Sequence, residues 1–168
     1  YSESTQAIAR RLNDFSLDAG ILYFDDGDPE TTEKLYEERY VFIAPNSLTI
    51  LKDKQITWDE VAQFPLCLLT QNMRNRQHID QQFLELGISP KIVTEASDFT
   101  GVLAQVALGN AATIAPVSVA ETFLDLKSTV HLDLTHPVMI HSVGLSIKDQ
   151  SPVLPIIKAL RQAVKAAL

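Results

Sequence analysis

Short apolar runs alternate along this chain with stretches of helical periodicity, and glycine or proline marks most of the joins. Ala19–Phe24, Tyr40–Ala44, Leu66–Leu69 and Ala112–Ala115 are too short for buried helices and lack polar alternation. Such runs predict strands covered on both faces, as in a parallel sheet. The second of them extends back to Leu35, and Ile92–Glu95, Val130–Leu134 and Val138–Ile147 complete the predicted strands. Between them, Thr5–Asn13 places Ile8 and Leu12 on one helical face behind a Ser4 cap. Thr57-Trp58-Asp59-Glu60 reads as a capping box, with Trp58 stapling the turn to the core. Arg74–Leu86 carries Ile79, Phe83 and Leu86 at helical spacing, and Gly87 stands where a left-handed stop belongs, followed by Ile88. Phe99–Leu108 turns Val102, Leu103, Val106 and Ala107 inward and meets its stop at Gly109. Val117–Leu124 predicts a short helix. A final helix opens at Ser151-Pro152 with the stripe Val153, Ile156, Ile157, Leu160, Val164 and Leu168. Strands alternating with helices in this way define an α/β fold.

At 168 residues the chain is one domain or two small lobes. A formal net charge of −7 sets it against DNA phosphates, so any nucleic-acid binding has to come from elsewhere. The single cysteine, Cys67, allows neither an internal disulfide nor a cysteine-based zinc site, and inside an apolar strand it reads as an inert thiol. No apolar run reaches membrane-spanning length: Val102–Val119 is broken by Gln105, Gly109, Asn110 and Pro116. The opening Tyr1-Ser2-Glu3-Ser4 has no basic or apolar leader character, and the chain reads as a fragment in a reducing compartment.

No dinucleotide fingerprint, phosphate loop, nucleophile elbow or zinc-protease pair is present. The four histidines, His78, His131, His136 and His141, form no metal pair, and Asp25-Asp26-Gly27-Asp28 lacks calcium-loop spacing. No metal and no cofactor is therefore expected. The chemistry that remains lies in loops after strands, where α/β sheets place ligands. Thr70-Gln71-Asn72-Met73 offers a hydroxyl, two amides and the N–H groups of a helix start, with Arg74 and Arg76 adding positive charge. That combination favours an anion or carboxylate, although ordinary helix capping explains the same residues. Ser97-Asp98-Phe99-Thr100 opens the next helix, Pro116-Val117 closes a buried strand, and Tyr23-Phe24-Asp25 ends another as a candidate facing wall.

The ordered set of motifs resembles the effector-binding domain of LysR-type transcriptional regulators. Leu12–Ile21, the Leu35–Pro45 strand with its Val41-Phe42-Ile43-Ala44-Pro45 run, Ile56–Leu69, Phe83–Pro90, Leu103–Pro116 and Val143–Leu154 carry the likeness. The chain departs from the family pattern at Asn46-Ser47, where the family has His-Pro, and at Ala111, where it has a second glycine.

The resemblance implies a type 2 periplasmic-binding-protein fold: two Rossmann-like α/β lobes joined by two crossing segments. Lobe I is expected at 1–45 plus 143–168 and lobe II at 46–142. The family's first strand-helix-strand unit has no counterpart here, so an incomplete cleft, an exposed edge on lobe I and a weakened family-type dimer are expected. The implied function is sensing of a small-molecule effector, without catalysis, in a cytoplasmic homodimeric or homotetrameric regulator. Such a protein reaches promoter DNA through a helix-turn-helix absent from this chain. The expected effector residues are Thr70, Gln71, Asn72, Met73, Ser97, Phe99, Thr100, Pro116 and Val117, with Phe24 across the cleft. An extracytoplasmic solute-binding protein of the same fold is the alternative; an enzyme would require a base beside a nucleophile, which the sequence does not offer.

Overall fold

The computed structural model describes residues 3–24, 32–47, 55–122, 128–148 and 154–167. The Asp25–Pro29 turn and the Ser151-Pro152 helix start lie outside the described residues. The chain forms two compact units, Tyr1–Glu38 with His141–Leu168 and Arg39–Ile140. It passes between them within two strands, β2 (Thr32–Pro45) and β8 (Ile140–Ile147).

The first unit holds α1 (Thr5–Asn13), β1 (Ala19–Phe24), the start of β2, most of β8 and α6 (Pro155–Ala167). Ser4 caps α1 by accepting from the Ala7 N–H at 3.3 Å, as expected. β1 runs antiparallel to β8, with Ala19 opposite Ile147 and Phe24 opposite Ser142. The expectation of a strand covered on both faces in a parallel sheet fails here, since Ile21 is 53% exposed. An apolar run reports burial of the average residue, not strand direction, and β1 meets a strand that returns from the other unit. Helix α6 starts only at Pro155, after the non-helical Leu154. It seats Ile157 on Leu145 and Ile147 of β8. Of its predicted stripe, Ile156 is 70% exposed and Leu160 also faces outward, while Val153 and Leu168 are not among the described residues.

The second unit contains β3 (Gln55–Thr57), α2 (Trp58–Val61), β4 (Leu66–Leu69), α3 (Arg74–Leu86), β5 (Ile92–Ala96), α4 (Phe99–Ala107), β6 (Thr113–Pro116), α5 (Val117–Thr122) and β7 (Thr129–Thr135). Strand β2 is antiparallel to both β6 and β7, and β3 is parallel to β7. Strands β4 and β5 pair in parallel, and a parallel Leu66–Ala112 bridge links β4 to the start of β6. The sheet is thus mixed, which corrects the parallel expectation. Strand β2 is nevertheless buried on both faces: Tyr40, Phe42 and Ala44 join one core and Val41 and Ile43 another. The two-residue period of a strand makes that division. Leu66 and Leu68 share the first core, while Cys67 and Leu69 enter a third with Val102 and Ala111.

The local stop and start signals act as read. Thr57 and Glu60 form a full capping box, and the Trp58 Nε1–H donates to the Pro137 carbonyl at 2.9 Å. Gly87 ends α3 at φ 68°, letting the Ile88 N–H reach the Phe83 carbonyl at 3.0 Å. Leu86, expected inward, is partly exposed beside a buried Ile79 and Phe83. Among the described residues no helix is long and apolar enough to cross a membrane.

Candidate functional site

Parallel pairing of β4 and β5 aligns their carboxyl ends, with Leu69 opposite Ala96. The Thr70 N–H extends that ladder by donating to the Ala96 carbonyl at 3.1 Å. The loops Thr70–Met73 and Ser97–Asp98 therefore leave one edge side by side. Strand β6 runs parallel to β4 from the Leu66–Ala112 bridge and delivers Pro116 and Val117 to the same edge.

Phe99 links the three loops. Its ring packs with Met73 on the core of Cys67, Leu69, Val102 and Ala111, and with Val117 on the core of Val41, Leu103 and Ala115. Thr70 is half-buried and Gln71, Asn72, Ser97 and Thr100 are exposed around this apolar floor, while Pro116 is buried within it. The structure thus brings together the expected residues of the second unit. Phe24 belongs to the first unit, where its ring covers Gly144 and lies beside Thr32.

Among the described residues, α1, α2 and α4 begin under a side-chain cap: Ser4 for α1, Thr57 for α2, and Asp98 for α4, whose Oδ1 accepts from the Gly101 N–H at 2.9 Å. Helix α3 does not. Its N-cap is Met73, with extended backbone and no side-chain hydrogen bond to the first turn. A helix of thirteen residues thus directs its first turn at the shared edge with no capping bond from its N-cap side chain. For Ser97 and Asp98 the capping explanation holds: Asp98 caps α4 and accepts from the Ser97 hydroxyl at 3.3 Å. For Thr70–Met73 it does not.

The expectation that Arg76 lends its charge to an anion at this edge is corrected. Its side chain is 4% exposed and bonded through Nε and Nη1. Nε donates to Asp80 at 2.7 Å, and Nη1 donates to Glu95 at 2.7 Å and to the Leu69 carbonyl at 2.8 Å. Burial works against its charge, but these two carboxylates outweigh that and raise its pKa. Two carboxylates already balance its charge. Arg74, the other arginine of the pair, is half-buried in the first turn and has an interaction of its own.

Sequence reading passed over a buried polar pair in the same region. Asn75 Nδ2 donates to the Tyr40 hydroxyl at 3.0 Å, and Tyr40 stands opposite Pro116 in the β2–β6 ladder. Asn75 looked like one more polar residue of a helix start, and Tyr40 like one more member of an apolar run. Cys67 is buried, and desolvation pushes its thiol pKa up, so it is a thiol rather than a thiolate. No group of three or more histidine, cysteine or acidic side chains among the described residues is placed to hold a metal ion.

The family model for the LysR substrate binding domain matches residues 1–168. The chain belongs to the LysR substrate-binding domain family. The HTH-type transcriptional regulator SsuR of Burkholderia cenocepacia is 28% identical over 108 residues, which are 63% of this chain and 35% of that protein. The LysR domain therefore spans well under half the length of that relative. Among solved structures, the effector-binding domain of QuiR in complex with shikimate aligns with a TM-score of 0.82 at 19% identity, over 99% of this chain and 79% of that one. The CcmR regulatory domain of Synechocystis PCC6803, in complex with 2-PG, gives 0.86 at 10% identity, over 98% and 79%. The cofactor-binding domain of the Cbl regulator gives 0.81 at 21% identity, over 100% and 74%. The LysR domain accordingly has the type 2 periplasmic-binding-protein-like α/β fold of these effector domains.

Proposed function

We propose that this LysR domain is the effector-sensing part of a transcriptional regulator, taking a small metabolite at the edge formed by Thr70–Met73, Ser97–Thr100 and Pro116-Val117. The observation that carries the reading is the uncapped start of α3 at the meeting point of three strand ends. An acceptor group on a ligand, carboxylate or oxyanion, suits the start of a helix whose N-cap, Met73, makes no capping bond of its own. Thr70, Gln71, Asn72, Ser97 and Thr100 supply neutral hydroxyls and amides around it, and Met73, Phe99 and Val117 an apolar floor. No residue in this reading transforms the ligand.

The two compact units correspond, in this proposal, to the two lobes of the fold. The units divide at 38/39 and 140/141, within β2 and β8, where the expected lobe boundaries were 45/46 and 142/143. The effector acts by binding one arrangement of the regulator better than another, shifting populations by no more than that difference in affinity. A cytoplasmic setting, self-association and contact with promoter DNA through a separate helix-turn-helix belong to the same proposal. The one curated relative described above is a regulator, which favours this reading over an exported solute-binding protein.

A thermal-shift screen of small carboxylates, inorganic oxyanions and neutral metabolites, shikimate among them, tests it. A bound anion at about a hundred times its dissociation constant adds about 2.7 kcal/mol of stability. Stabilisation by neutral or cationic compounds alone overturns the anion reading, and no stabilisation by any class counts against sensing at this edge.

A further inference from the structure

We propose that Arg76 is a positioning residue that sets the spacing of the Thr70–Met73 and Ser97–Thr100 loops. The inference rests on the reading of those loops as the effector edge, but its geometry stands by itself. One guanidinium bonds the Leu69 carbonyl, the last of β4, and the carboxylate of Glu95, the penultimate residue of β5. Thr70, next after Leu69, and Ser97, two positions after Glu95, open the two loops. The third bond, to Asp80 one turn further along α3, fixes the guanidinium against its own helix. Arg76 thereby ties three elements at the point where each meets the site: the ends of two strands and the first turns of the helix between them.

The chemistry of the side chain suits a strut. A guanidinium offers a rigid fork of donors, so two bonds from Nη1 and one from Nε define both distance and direction. A lysine ammonium on a flexible stem cannot hold all three acceptors in those directions. The carboxylates of Asp80 and Glu95 are 40% and 37% exposed, so water can take them over if the guanidinium is removed. The fold therefore tolerates loss of Arg76 better than the loops do. A purely stabilising ion pair predicts the reverse, with an effect spread over the whole unit.

Amide hydrogen exchange by NMR on the 168-residue chain separates the two cases, using Arg76→Met and Arg76→Lys beside the unaltered chain. The reporters are the Thr70 N–H, which bonds the Ala96 carbonyl, and the Met73 N–H, which bonds the Thr70 carbonyl. The controls are the Ala112 N–H on the Pro65 carbonyl and the Tyr40 N–H on the Met139 carbonyl. Both variants should exchange about tenfold faster at Thr70 and Met73, with the controls unchanged. Unaltered exchange at the reporters in either folded variant, or acceleration shared equally by the controls, overturns the proposal. If the methionine variant does not fold, the lysine variant decides alone. No ligand enters the measurement, so a metabolite screen without a hit counts against the effector reading and leaves this result standing.

Discussion

Single atoms decide how well individual residues of this domain tolerate change, and two positions make that concrete. Trp58 is the one tryptophan, almost wholly buried, with its ring edge-on to Phe83 at a centroid distance of 5.0 Å. Its indole N–H satisfies the Pro137 carbonyl. Trp58→Phe keeps an aromatic ring but leaves that carbonyl without its donor and opens space where the second ring stood. The two effects together cost about 2–4 kcal/mol, read as a lower urea midpoint with an unchanged slope. Gly144 on β8 shows the opposite constraint. A Cβ there would stand 2.7 Å from Phe24 Cε1 and 2.7 Å from Thr32 Cγ2. Both the half-buried Phe24 ring and the Thr32 methyl group have to give way. Gly144→Ala should therefore destabilise by about 1–3 kcal/mol, measured by the same denaturation curve, and displace the Phe24 ring.

Secondary-structure elements were legible in the sequence wherever a local signal suffices to define them. Ser4, Thr57 and Gly87 mark ends that depend on a side chain or a backbone angle within a few residues, and each acts as expected. Strand direction is a property of partners far along the chain, so Ala19–Phe24 announced a strand and concealed its antiparallel pairing with β8. The site divided in the same way. That Thr70–Met73, Ser97–Thr100 and Pro116-Val117 sit at strand ends was legible, because strand ends are where α/β folds keep their loops; their role as a site is the proposal. That Arg76 bonds a carboxylate of the chain at the base of these loops could not be read, since its partner Glu95 lies nineteen positions on. The uncapped start of α3 was open to inspection as Met73, a residue that cannot accept for the first turn. The capping box of α2 gives the matching prediction. Hydrogen bonds from the Thr57 backbone N–H and hydroxyl hold the Glu60 carboxyl below its ordinary range. A carboxyl depressed in the folded state contributes stability above its unfolded pKa, near 4.5, and loses it as pH falls through the folded value. Glu60→Gln should lower the urea midpoint at neutral pH and make no difference at pH values below the folded pKa. An equal loss at both ends of the range would assign the effect to something other than the ionised box.

At the level of the whole molecule, charge and architecture divide the labour of a regulator between parts. A chain carrying a formal −7 presents DNA with repulsion at every orientation that does not select a basic patch. Duplex affinity comes mainly from cations neutralising phosphates and releasing counterions, a term that requires an excess of Lys and Arg at the contact. The LysR domain has fourteen such residues against twenty-one acids, and several are engaged with carboxylates: Arg11 with Glu3, Lys34 with Glu37, Arg76 with Asp80 and Glu95, Arg161 with Glu33. What the fold supplies is a pair of compact units with two strands passing between them, and one of them carries the proposed effector edge. DNA contact in the proposed regulator must then be carried by a different part of the protein, with this domain contributing only a bias. Fluorescence anisotropy with a labelled duplex tests that division directly. The 168-residue chain should give no binding up to about 100 μM protein at low salt, weaker than the usual range for non-specific binders. Adding a stabilising metabolite should leave the signal flat, because a ligand can only shift affinity for a partner that the domain itself contacts. Salt-sensitive binding that saturates would place a phosphate-contacting surface on this domain and remove the reason for assigning DNA contact elsewhere.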